Sequence, residues 1–178
     1  MPLASVIAGR YAATYTHPAG AALDLGITTS PGGYKVNFTP SWRRIQGTDA
    51  YADAVIDMIW RGFKDVGVSF ISKEWKAGTV RASNPAVSYL STGATAFDAG
   101  LVGRRASDMA GVLIMTAVAG TPAAASPATA TVAGVVIRDG FNVSWLFDST
   151  ERDMPFDFEV LALTDSASPA GARYWAAT

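Results

Sequence analysis

Tyr34-Lys35-Val36-Asn37-Phe38-Thr39 is the stretch that decides the fold. Tyr34, Val36 and Phe38 fall on one side of a period of two, and Lys35, Asn37 and Thr39 on the other. That is the pattern of an antiparallel strand with one buried and one wetted face. Upstream, Thr28-Thr29-Ser30-Pro31-Gly32-Gly33 combines a fixed φ at Pro31 with two glycines that accept positive φ, so it turns the chain into the strand. Downstream, Pro40 brings no N–H, so it ends the strand or confines it to a sheet edge.

The same period recurs in both directions. Tyr11, Ala13 and Tyr15 alternate with Ala12, Thr14 and Thr16 before a break at His17-Pro18-Ala19-Gly20, and residues 22–27 read as a short strand. Residues 110–118 are mostly apolar and suit a buried strand, and residues 120–127 form an Ala/Pro connector. Further strands are expected near residues 131–137, 142–147 and 156–163, followed by a tail that carries Tyr174 and Trp175. The expected class is therefore mainly all-β with antiparallel pairing, in one domain over residues 1–178. Residues 1–9 are expected to form an N-terminal arm. Residues 76–103, broken by Asn84-Pro85, Gly93, Gly100 and Gly103, read as a long loop, a length that usually serves a contact.

Residues 48–75 have two readings at their start. Thr48 can cap a helix with Tyr51, Val55, Met58 and Ile59 on one face, but a strand fits equally, because Asp53 and Asp57 share a side under either period. Arg61-Gly62-Phe63-Lys64-Asp65 has turn chemistry, and Val66, Val68 and Phe70 alternate after it. A hairpin over about residues 54–75 accounts for both flanks with one turn.

Composition narrows the function. At 178 residues the chain folds as one core, burying roughly 70% of its unfolded surface. With no cysteine, disulfides, thiolate metal sites and cysteine nucleophiles are excluded, which fits assembly in a reducing compartment. The 14 Lys+Arg against 15 Asp+Glu give a net charge of -1, with no global pull toward nucleic acid or anionic membrane. Only 16% of residues are charged, against about 25% in ordinary soluble domains. Hydrophobic residues make up 49%, and mean hydropathy is +0.21. Such a surface is hard to hydrate unless like copies cover it, although Ala and the 17 Gly in loops would also raise the hydropathy. The longest apolar runs, residues 110–119 and 131–137, fall short of the roughly 18 needed to cross a bilayer, so no membrane partner is expected.

Catalytic signatures are scarce. His17 is the one histidine and stands beside Pro18 in a turn, so a zinc site would need carboxylates that the sequence does not place beside it. No Gly-x-Ser-x-Gly elbow and no Gly-x-Gly pair is present. Asp49, Asp53 and Asp57 lack the Gly and Glu of a calcium loop, and read as a solvated or inter-subunit face. Arg43-Arg44 and Arg104-Arg105 can meet phosphate or the carboxylates of a neighbouring copy. Trp42, Trp60, Trp75, Trp145 and Trp175 suit core or interface packing, with a carbohydrate platform as the alternative. The expectation is no enzyme, no cofactor and no metal.

Three segments carry a family resemblance. They are Leu25-Gly26-Ile27-Thr28-Thr29-Ser30-Pro31-Gly32-Gly33-Tyr34-Lys35-Val36-Asn37-Phe38-Thr39, Thr48-Asp49-Ala50-Tyr51-Ala52-Asp53-Ala54-Val55-Ile56-Asp57-Met58-Ile59-Trp60-Arg61-Gly62, and Val68-Ser69-Phe70 on to Glu74. Together they resemble the tail tube (major tail) structural proteins of tailed bacteriophages, with a Gly-Gly turn into an amphipathic strand, an Asp-rich stretch and an alternating strand closing on an acidic residue. Ala52 stands where that pattern usually has Gly. The resemblance implies an antiparallel β-sandwich or barrel with at most one short helix. It also implies self-assembly of the virion protein into hexameric rings, stacked as a tail tube through which DNA passes unread. The chain would be assembled in the host cytoplasm, with other phage tail proteins as partners. Candidate inter-subunit contacts are Asp49, Tyr51, Asp53, Asp57, Arg61, Arg43, Arg44, Asn84, Arg104 and Arg105, with the 54–75 hairpin in the inter-subunit sheet. Other virion positions (neck, tail terminator, distal tail, capsid decoration) and a carbohydrate-binding β-sandwich are the alternatives. Deleting residues 84–95 is expected to leave a folded subunit that no longer polymerises; unchanged tubes by electron microscopy would refute this role for the loop.

Overall fold

The computed structural model describes residues 10–16, 22–28, 33–46, 55–74, 103, 105–118, 128–141, 153–161 and 176–177. In chain order these form β1 (Tyr11–Thr16), β2 (Ala22–Ile27), β3 (Tyr34–Gln46), β4 (Val55–Ser72), a short helix α1 (Ala106–Met109), β5 (Gly111–Ala117), β6 (Thr129–Ile137), β7 (Met154–Val160) and β8 (Ala176–Ala177). All strands join one antiparallel sheet in the order β2-β1-β5-β6-β7-β4-β3, with β8 beside β6. The mainly β class expected from the alternation is thus observed.

Burial alternates with period two, in β1 and β7 as the sequence itself alternates and in β5 despite a run that is apolar on both sides. In β1, β5 and β7 the inward residues Tyr11, Ala13, Tyr15, Leu113, Met115, Met154, Phe156, Phe158 and Val160 are buried, and their neighbours stay partly wet. Val66, Val68 and Phe70 of β4 add to the same core. Rings dominate it: Phe70 and Phe156 stack with centroids 5.0 Å apart, Phe156 and Phe158 at 5.6 Å, and Tyr15 lies on Phe158 at 5.9 Å. The Tyr15 hydroxyl donates to the Met109 carbonyl at 3.2 Å, tying the end of α1 to the sheet.

The sheet bends until the end of β2 meets β4. Thr28 forms an antiparallel bridge with Ser72, and the Lys73 N–H donates to the Ile27 carbonyl. Both bridge residues are polar and buried, which is costly unless their groups are paired. They are: Thr28 Oγ1 accepts from the Tyr11 N–H at 3.1 Å, and Ser72 Oγ donates to the Leu25 carbonyl at 2.7 Å.

One expectation needs correcting, and the alternative left open at Pro40 is decided. The 54–75 segment is no hairpin with a turn at residues 61–65; β4 runs unbroken from Val55 to Ser72. Pro40 does not end its strand either, since β3 continues to Gln46, although it does lie on the edge strand of the sheet. The two outcomes share one cause. Thr39 pairs with Asp65, Pro40 with Phe63 and Trp42 with Trp60, so β4 spends extra residues twice opposite Pro40. What reads as a turn is a pair of bulges, with Gly62 at φ +92°, a conformation in which any side chain would be strained. The helical alternative fails for residues 55–59, which are strand. The last long strand is Met154–Val160, two residues earlier at its start than expected. The arm 1–9, residues 76–102 of the long loop, the strand expected at 142–147, and Tyr174 and Trp175 lie outside the described residues.

Ser72→Ala strips the Leu25 carbonyl of its buried donor and the Glu74 N–H of its acceptor. The expected loss is about 1–3 kcal/mol. It would be read as a lower denaturant midpoint at unchanged slope, with exposed Thr131→Ala as the near-neutral control.

Candidate functional site

The register of β4 generates the site. β7 pairs with β4 only from Gly67 to Ser72, whereas β3 pairs with it as far as Val55. Residues 39–46 and 55–65 therefore form a two-stranded ribbon that continues past the rest of the sheet. A face that is core-directed at Tyr34 and Val36 runs on into this ribbon, where no described element covers it.

Its side chains are apolar all the same. Among the described residues, eight large hydrophobics are exposed, and seven of them (Phe38, Trp42, Val55, Met58, Ile59, Trp60 and Phe63) lie on the ribbon or at its root. Four rings form a ladder along it. Phe38 meets Phe63 at 5.2 Å, Phe63 meets Trp60 at 5.2 Å and Trp60 meets Trp42 at 4.8 Å. Each such side chain is worth about 1.5–3 kcal/mol when fully removed from water. A patch of this extent is rare on a lone soluble subunit.

Of the residues singled out in the sequence, the structure brings four together here. Arg43 pairs opposite Ile59, Arg44 opposite Met58 and Asp57 opposite Ile45, and Arg61 sits in the bulge; all four are exposed. The Asp57 carboxylate accepts the Met58 N–H at 2.7 Å, a local bond that leaves it at the surface. Arg105 is elsewhere, immediately before α1, where its carbonyl accepts the Asp108 N–H. Asp49, Tyr51, Asp53, Asn84 and Arg104 lie outside the described residues, as does His17. No group of three His, Cys, Asp or Glu suited to a metal ion occurs among the described residues.

Sequence reasoning missed the cluster that anchors the ribbon. Arg138, just past β6, donates through Nε to Asp157 Oδ2 of β7 and through Nη1 to Asp65 Oδ1 of β4, both at 3.0 Å. Asp65 is the residue at which the ribbon leaves the sheet. The guanidinium lies directly over Gly67, where a Cβ would collide with Nη2. Partial burial pulls the Arg138 pKa down, but the hydrogen bonds and charges of Asp65 and Asp157 outweigh it, and the net displacement is upward. A raised pKa stabilises the fold at every pH below the ordinary arginine value, and that contribution fades only in strongly alkaline solution. The guanidinium is thus a permanent cation at the ribbon's root.

Comparison with known protein families, curated proteins and solved structures gives no match for this chain.

The groups in the cluster are a quarter to two-fifths exposed, so solvent discounts each ion pair. Arg138→Ala should cost about 1 kcal/mol. Gly67→Ala should cost a similar amount by pushing the guanidinium aside. The double variant should lose clearly less than the sum, because the second change removes a contact already broken. Additive losses in urea titrations would refute the coupling.

Proposed function

We infer that this chain is a self-assembling structural subunit of the phage tail-tube type, six copies closing a ring and rings stacking into a tube that lets DNA pass. One observation carries the reading: a projecting two-stranded ribbon whose aromatic ladder is exposed in the single subunit. Burial of that ladder by further copies is the direct way to recover its hydrophobic free energy. The low charge content supports the same reading, since sparse ionisation favours a subunit most of whose surface meets its own kind. A net charge of -1 is compatible with a conduit that does not trap a passing polyanion. The proposed role is structural and not enzymatic, and places the protein in the virion tail after assembly in the host cytoplasm, beside other tail proteins.

The geometry of the tryptophans disfavours the carbohydrate alternative. Sugar rings stack on open, flat aromatic faces, whereas Trp42 and Trp60 meet at an interplanar angle of 65°, edge against face.

Negative-stain microscopy of the purified protein should show hollow filaments. Trp60→Asp should abolish them while lowering the stability of the free subunit by only about 1–3 kcal/mol, through loss of its two ring contacts in the ladder, and leaving it folded. Discrete rings without filaments would move the assignment to a neck, terminator, distal-tail or decoration position. A monodisperse single subunit at high concentration would refute self-assembly altogether.

A further inference from the structure

Ile71 is the one exposed large hydrophobic among the described residues that does not belong to the ribbon. It lines an open cleft of about 380 Å³ on the outer face of the sheet, together with Lys35, Ser69, Phe141, Pro155 and Asp157. We propose that this cleft is the acceptor for the aromatic ribbon of a second copy of the chain, so that subunits join head to tail. The proposal rests on the self-assembly reading above and names the surface that receives the ribbon.

Three observations point to a second copy. The first is that the described surface carries two apolar patches of opposite shape, a protruding ladder of rings and a concave cleft floored by Ile71, Phe141 and Pro155. Such a pair is what a heterologous contact requires, because donor and acceptor are different surfaces of one molecule. The second is reach. Trp60 and Ile71 belong to the same continuous strand, and at the rise of a β-strand they stand roughly 30 Å apart even with two bulged residues discounted. A ribbon cannot fill its own cleft without breaking β4. The third is charge. Among the described residues the outer face around the cleft carries the carboxylates Asp157, Asp65 and Glu159, with Arg138 bound between the first two, beside Lys35 and the Lys73–Asp153 pair. The strand alternation puts Arg44 on the same side of the ribbon as Trp42, and its partner Met58 on the same side as Trp60. Seating the rings against Ile71 would bring a cation toward those carboxylates.

A head-to-tail contact has a consequence that a two-fold contact lacks. Each copy both gives and receives, so the contact propagates until a ring closes or a filament grows.

Complementation tests it. Trp60→Asp disables the donor and Ile71→Asp disables the acceptor; both side chains are exposed, so each variant should keep the far-ultraviolet circular dichroism and the cooperative unfolding of the parent. Either variant alone should sediment as a single subunit. An equimolar mixture should give one-to-one pairs and nothing larger, because only one intact donor and one intact acceptor remain between them. The proposal is overturned if the mixture stays monomeric while the unaltered protein assembles, or if Ile71→Asp assembles like the parent; self-assembly by another surface would then stand. If the unaltered protein is itself a lone subunit, both readings fall together.

Discussion

The hydrogen-bond ladder of β4 governs the molecule. Along one flank this strand pairs with β3 from Val55 to Phe70, and along the other with β7 over Gly67 to Ser72. Where both flanks are filled, β4 is core, and Val66, Val68 and Phe70 pack with Phe156 and Phe158. Where only β3 remains, the same two strands carry the same kind of side chain into water. The body and the ribbon are thus one continuous structure, divided only by where β7 stops. Asp65 and Gly67 mark that division, and Arg138 ties it down across three strands.

Half of this was legible from local sequence. The alternation at Tyr34, Val36 and Phe38 and at Tyr11, Ala13 and Tyr15 reports sidedness directly, because a strand with one wet face must alternate. β1 runs over the same residues as expected for that reason, and β2 also matches its expected span. The turn assigned to residues 61–65 failed because bulges and turns draw on one vocabulary. Gly at positive φ beside charged residues serves both, and only the register against Pro40 separates them.

The candidate site was harder to see. Periodicity says which side chains share a face, and is silent on whether anything covers that face, so it left Trp42 and Trp60 open between core and interface, and their exposure removes the core reading. The Arg138 cluster joins residues 73 and 19 positions apart, and such pairs emerge only once strand order is known. Arg43, Arg44, Asp57 and Arg61 do gather on the ribbon, yet the rings, two of which the sequence left between core and interface, supply most of its exposed apolar surface.

Pro40 has a significance beyond setting the register. A long, apolar edge strand is the usual seed of fibrils, since its open row of amides and carbonyls templates any other strand. Here the row is interrupted at the middle of β3 by a residue that cannot donate, and the partner strand is kinked at the same level by its two bulges. The proline acts as a gatekeeper, leaving the ribbon adhesive through its rings while denying it a flat backbone for runaway zippering. Replacing it by a good strand former would leave a longer unbroken edge, the kind that favours amyloid-like precipitate.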